Sequence, residues 1–97
     1  MISPAGSWRI SKIANEARKA IGSLDLETQE QVLIKLESLQ ANPFAGDIKK
    51  IKGKKDIYRL RVQSLRIYFR LNMSLRTIEI LLIEKRGQIK DQSIERL

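Results

Sequence analysis

Between Ile57 and Arg70 the sequence IYRLRVQSLRIYFR alternates apolar and mostly basic residues, and this alternation restricts the fold more than any other stretch. Side chains along a strand point alternately to its two faces, so Tyr58, Leu60 and Val62 share one side and Arg59 and Arg61 the other. In the second half, Leu65, Ile67 and Phe69 oppose Arg66, Tyr68 and Arg70. With Gln63 and Ser64 at the turn, Val62 faces Leu65, Leu60 meets Ile67 and Tyr58 meets Phe69, which builds one apolar face. The same register sets Arg61 directly across from Arg66, and Arg59 across from Tyr68. Like charges in direct opposition cost a few tenths to about 1 kcal/mol. A surface selected only for solubility avoids that cost, whereas clustered guanidinium groups suit the joint holding of phosphates.

A hairpin needs a cover for its apolar face, and the residues before it supply one. Trp8–Ser11 is a short strand candidate. From Ile13, the residues Ala14, Ala17, Ala20, Ile21 and Leu24 recur at helical spacing, with Gly22 as the stop. A second helix is expected from Asp25–Thr28 to Ala41, with Val32, Leu33, Leu36 and Leu39 as its apolar stripe and Asn42-Pro43 as its end. Pro43 to Gly46 reads as a turn and Asp47 to Lys55 as a basic loop with Gly53 as its flexible point. Strands are expected at Ile57–Val62, Leu65–Leu71 and Thr77–Glu84, with Met73-Ser74 as the turn before the last. That last strand, TIEILLIE, is apolar enough to be central and covered on both faces. Gln88 to Leu97 reads as a polar tail with a short helix through Ile89, Ile94 and Leu97. The fold class is therefore α+β: a helical hairpin on one face of a small, mainly antiparallel, twisted sheet, in a single domain spanning residues 1–97.

Charge narrows the partner. Lysine and arginine total 19 against 11 acidic residues, a net charge of +8 in 97 residues. Such a balance favours a nucleic acid or an acidic protein over a neutral metabolite. The basic loop contributes Lys49, Lys50, Lys52, Lys54 and Lys55 just ahead of the arginines. No run of 18 apolar residues is present and the N-terminus lacks a signal-peptide layout, so a cytoplasmic protein without membrane contact is expected. The chain has no cysteine and no histidine, which excludes disulfides, thiolate zinc sites, a cysteine nucleophile and a Ser-His-Asp triad. No metal or cofactor is expected, and acid–base chemistry is left to Lys, Arg, Tyr, Asp and Glu.

The run NPFAGDIKKIKGKKDIYRLRVQSLRIYFRL, followed by IEILLIEKR, closely resembles the RelE/ParE toxin superfamily, and within it the RelE-like branch. The resemblance covers Trp8 to Lys90, helices included. It implies a type II toxin–antitoxin toxin that cleaves mRNA on the ribosome as an mRNA interferase, so inhibiting translation, and that is neutralised by a cognate antitoxin. By position it places the family's basic strand pair on Arg59 and Arg61, the arginine of its next strand on Arg66, and the arginine after its last strand on Arg86. In such cleavage a 2′-hydroxyl attacks its neighbouring phosphate, which calls for a base, charge stabilisation and a proton donor. The resemblance suggests Arg66 as phosphate stabiliser, Arg86 as stabiliser or acid, and Arg59 and Arg61 as RNA-positioning or base-supporting groups. Lys49, Lys50, Lys52, Lys54, Lys55, Tyr68, Lys85 and Lys90 are the expected RNA-binding residues.

The chain departs from the family pattern in two places. No tyrosine follows Tyr68, where many members carry one after the last arginine, and Leu65 replaces the usual aromatic before Arg66. Strict alternation along the last strand also puts Lys85, rather than Arg86, on the arginine face unless a bulge intervenes. A non-cleaving binder of the same fold and a ParE-like gyrase inhibitor therefore stand as alternatives. A general RNA-binding module has less support, because few aromatic residues are free to stack on bases.

Overall fold

In the computed structural model, which describes residues 8–85 and 97, five strands form one sheet in the order β1-β5-β4-β3-β2. The elements are β1 (Arg9–Ile13), α1 (Asn15–Gly22), α2 (Leu26–Ala41), β2 (Ile48–Lys50), β3 (Ile57–Val62), β4 (Leu65–Asn72) and β5 (Thr77–Lys85). β1 pairs with β5 in parallel, and the other three pairings are antiparallel. The expected α+β architecture is the observed one, with β5 inside the sheet between β1 and β4. Among the described residues no helix is long and apolar enough to cross a membrane.

The helices lie on one face of the sheet because their apolar stripes need it. Ala17 of α1 and Val32, Leu36 and Leu39 of α2 join Leu60, Val62, Leu65, Ile67, Phe69, Leu71, Ile78, Ile80 and Ile83 in one buried cluster. The short connection between the helices is well satisfied. Asp25 caps α2, accepting from the Thr28 amide at 3.3 Å and from its hydroxyl at 2.6 Å, and these bonds hold its carboxyl below the ordinary value. Gln29 Nε2 donates to the Leu24 carbonyl in the connection and adds a second bond to the Ile21 carbonyl, which also accepts the Leu24 amide.

Three expectations are corrected. Ile13 belongs to β1, not to the helix: it pairs with Ile80, and Ala14 donates its amide to Ile80. An apolar residue there fills the same core from either conformation, so periodicity alone could not tell them apart. The helix closes at Gly22, the expected stop, with Ser23 as its cap in a right-handed conformation. Leu33 is 56% exposed, since α2 buries only the narrower line of Val32, Leu36 and Leu39. The basic loop is partly a strand: Ile48–Lys50 pairs with β3 and forms the sheet's edge. The tail helix through Ile89, Ile94 and Leu97, and the lead-in before Trp8, lie outside the described residues, Leu97 excepted.

The β3–β4 hairpin has the expected register, with Val62 opposite Leu65, Arg61 opposite Arg66, Leu60 opposite Ile67, Arg59 opposite Tyr68 and Tyr58 opposite Phe69. Its turn requires Gln63 at φ 55°, in the left-handed region. A side chain is strained there and glycine is not, so Gln63→Gly is expected to stabilise the fold by about 0.5–1 kcal/mol net of glycine's larger unfolded entropy. A thermal melt checks this, and an unchanged or lower midpoint would refute it.

The β4–β5 connection differs from expectation. Asn72 pairs with Thr77, so four residues, 73–76, make the turn in place of Met73-Ser74. Further along, Phe69 pairs with Ile80 but Tyr68 with Leu82, leaving Leu81 as an extra residue in a bulge. The bulge moves Ile83 into the buried cluster and turns Glu84 to the opposite face. Without it, Glu84 would point into the apolar core, where an unpaired carboxylate is costly.

Candidate nucleic-acid interface

The face away from the helices carries rows of polar residues running across the strands. One row is Arg61, Arg66 and Glu84 on β3, β4 and β5. The next is Lys49, Arg59, Tyr68 and Leu82, from β2 to β5. A third, toward the other end of β3, is Ile57, Arg70, Glu79 and Lys12. In this third row the charges are engaged. Arg70 Nη1 lies 3.4 Å from Glu79, Lys12 approaches the same carboxylate at 4.0 Å, and Arg70 Nη2 donates to the Leu97 carbonyl at 3.2 Å.

The first two rows are different. Arg61 is exposed and directly across from Arg66, and no ion pair to either is formed among the described residues. A cleft of about 170 Å³ lies at the hairpin tip, lined by Arg61, Gln63, Ser64, Leu65 and Arg66. A second, of about 130 Å³, is lined by Asp47, Lys49, Arg59 and Arg61. Liquid water occupies about 30 Å³ per molecule, so each cleft has room for several waters. Arg61 therefore serves two neighbouring anion-sized recesses. Strand geometry makes this a rigid arrangement, because β3 and β4 are anchored by the apolar residues that alternate with the arginines.

Tyr68 is not the surface ring expected of a stacking residue. It is 1% exposed, and the charges that act on its hydroxyl are those of Glu84, Arg66 and Arg59. Burial and the nearby Glu84 charge push its pKa up, against the opposing pull of Arg66 and Arg59, so the hydroxyl keeps its proton at neutral pH. Among the described residues, two buried side-chain polar atoms have no partner: Arg59 Nε and Glu84 Oε1. Such orphans cost free energy in an isolated fold, and a catalytic role is one of the reasons native folds keep them.

The remaining expected residues separate. Lys49 stands across from Arg59 and lines the second cleft. Lys50 has the opposite parity, pairs with Tyr58 on the helix side, and donates from Nζ to the Lys54 carbonyl at 3.3 Å. Lys52, Lys54 and Lys55 lie in the connection between β2 and β3, at the far end of β3 from Arg61, about 14 Å away along four strand residues. Lys85 is corrected as well. It pairs with Leu65 and lines a cavity with Ala20, Ser23, Leu24 and Ile83 on the helix side, because the bulge exchanges its parity with that of Glu84. Arg86 and Lys90 lie outside the described residues. Sequence reasoning missed Asp47 and Glu84. Asp47 stood in a stretch read as loop, and the parity of Glu84 depends on an extra residue that no local pattern announces.

With this geometry in hand, comparison with known proteins is informative. The model of the ParE toxin of type II toxin–antitoxin systems, parDE, matches residues 9–90. No curated protein sequence matches the chain. Among solved structures, the archaeal RelE–RelB complex of Pyrococcus horikoshii OT3 is similar at TM-score 0.75 and 27% identity, covering 86% of this chain and 99% of that one. The RelB–RelE antitoxin–toxin complex of Methanococcus jannaschii is similar at TM-score 0.68 and 26% identity, covering 81% and 94%. A free E. coli RelE toxin variant shares the fold at TM-score 0.71 and 15% identity, covering 95% and 98%.

Proposed function

The chain belongs to the ParE toxin family of type II toxin–antitoxin systems, within the RelE/ParE superfamily, and from that premise we propose that it cleaves mRNA on the ribosome and so stops translation. The observation that carries the reading is the direct opposition of Arg61 and Arg66 at the hairpin tip, beside Lys49 and Arg59. This arrangement costs stability in water and is repaid when an anion bridges the two guanidinium groups. In the reaction, Arg66 and Arg61 hold the scissile phosphate and neutralise the charge that builds on its oxygens. Arg59 and Lys49 follow the adjoining backbone. Arg86 keeps the role that the resemblance implies, as a second stabiliser or as the acid for the leaving 5′-oxygen.

The proposed partners are the ribosome with its mRNA and a cognate antitoxin, in the cytoplasm. Two of the structures similar to this chain are toxin–antitoxin complexes, which supports the antitoxin. A segment that is acidic or amphipathic fits a chain of net charge +8. Primer extension on translated mRNA tests the reading. Cleavage is expected with the wild-type chain, and Arg66→Ala and Arg86→Ala are each expected to lower it by roughly 10²-fold or more. Intact message with the wild type, or undiminished cutting by both variants, would sink it.

One observation favours a second reading. The chain has no tyrosine after Tyr68, and Tyr68 is buried, so the site presents no free ring to a base. A non-cleaving binder or a ParE-like gyrase inhibitor would not need one. DNA breaks on expression, with mRNA intact, would select the gyrase version.

A further inference from the structure

Attack by a ribose 2′-hydroxyl needs a base, and the one carboxylate between Lys49 and Arg70, Asp56, lies before β3, at the far end of that strand from Arg61. β5 supplies a candidate. Glu84 stands directly across from Arg66, which stands across from Arg61, so a carboxylate ends the row that holds the two guanidinium groups. The bulge at Leu81 is what brings it there.

Two carboxylates of β5 face this side of the sheet, and their states differ. Glu79 is committed to structure, held by Arg70 at 3.4 Å and Lys12 at 4.0 Å. Glu84 has no such commitment: its Oε1 is buried and accepts no hydrogen bond, although Arg66 is its cross-strand neighbour. An acceptor kept unpaired across from Arg66, and close enough to act on Tyr68, is completed when something brings a donor to it. RNA carries that donor at each ribose and DNA does not.

We propose that Glu84 is the general base of this site, an inference that rests on the endoribonuclease reading above. With the phosphate on Arg61 and Arg66, the 2′-hydroxyl passes its proton to the Glu84 carboxylate as the 2′-oxygen bonds to phosphorus. The bond from phosphorus to the 5′-oxygen breaks, and that oxygen takes a proton from water. Glu84 later returns its proton to water. The products are a 2′,3′-cyclic phosphate and a 5′-hydroxyl, with atoms and protons balanced. Asp47 is the competing carboxylate. It lies on the wall of the Lys49–Arg59–Arg61 cleft, but it is exposed and on the β2 side, away from Arg66.

The test is single-turnover cleavage of ribosome-bound mRNA by the full chain, with mRNA occupancy measured separately. Glu84→Gln keeps the shape and is expected to lower the rate by roughly 10²–10⁴-fold, with occupancy unchanged or tighter, because a negative charge leaves a phosphate-binding face. Glu84→Asp should recover part of the rate, and added formate should restore part of it to Glu84→Ala, which a purely structural role would not allow. A thermal melt confirms that each variant is folded. Wild-type rates in Glu84→Gln, or a rate lost in Asp47→Asn and kept in Glu84→Gln, would overturn the assignment while leaving the endoribonuclease reading intact. A wild-type chain that cuts no message would overturn that reading and this one with it.

Discussion

Arg61→Thr is expected to strengthen the fold and weaken the function at once. Arg61 is exposed and its only direct cross-strand neighbour on β4 is another arginine, so its removal relieves repulsion. Threonine suits a strand, and the gain should be a few tenths to about 1 kcal/mol. At roughly 4–8 °C per kcal/mol for a chain of this size, the melting temperature should rise by up to several degrees. The same change removes the residue shared by both clefts. Cleavage should fall by roughly 10²–10³-fold. The slope of log affinity against log salt should shrink by about one, as one fewer phosphate is neutralised. Calorimetry and RNA binding across a salt series measure both effects. A lower melting temperature, or RNA binding whose salt slope is unaltered, would show that the arginine opposition is an ordinary solvated surface.

The second large effect lies under the site. Phe69 is fully buried, stacks on Tyr58 at a centroid distance of 5.8 Å, and has Ile80 across the β4–β5 pairing. Tyr58 continues through Phe44 to Trp8, at 6.0 and 5.9 Å, so one string of rings ties the hairpin to the turn after α2 and the start of β1. Phe69→Ala should cost about 3–5 kcal/mol from lost burial and the cavity left behind. That is a large part of the roughly 5–15 kcal/mol that holds a domain together. Phe69→Leu should cost far less. Chemical denaturation of both variants decides it, and an alanine penalty below about 1 kcal/mol would mean that the ring string is not a structural tie.

What the sequence made legible follows from how local each signal was. The hairpin register could be read because its period is two and one face is buried, so a slip of one residue would put Leu60 and Ile67 in water and Arg61 in the core. The helices were legible from spacing, but their edges were not. Ile13 serves the core as strand or helix, and Leu33 sits one step off the buried line of α2. β2 was hidden because Ile48–Lys50 is too short, and too rich in lysine, to show an alternation of its own. Its existence depends on the bonds that β3 offers. The arginines of the site were found for the reason that the hairpin was, as residues on an alternating strand. The carboxylate was missed because its orientation is decided two to three residues earlier, where the ladder on β5 takes up Leu81.

That single extra residue also bears on how chains of this kind are compared with one another. Counted from its beginning, β5 reaches the position opposite Arg66 at Glu84. A relative without the bulge would reach it one residue sooner, at the place that Ile83 occupies here. Columns matched by position would then set this carboxylate beside a core isoleucine and score the difference as a lost residue. Two such proteins could hold the same carboxylate against the same arginine while their sequences deny it.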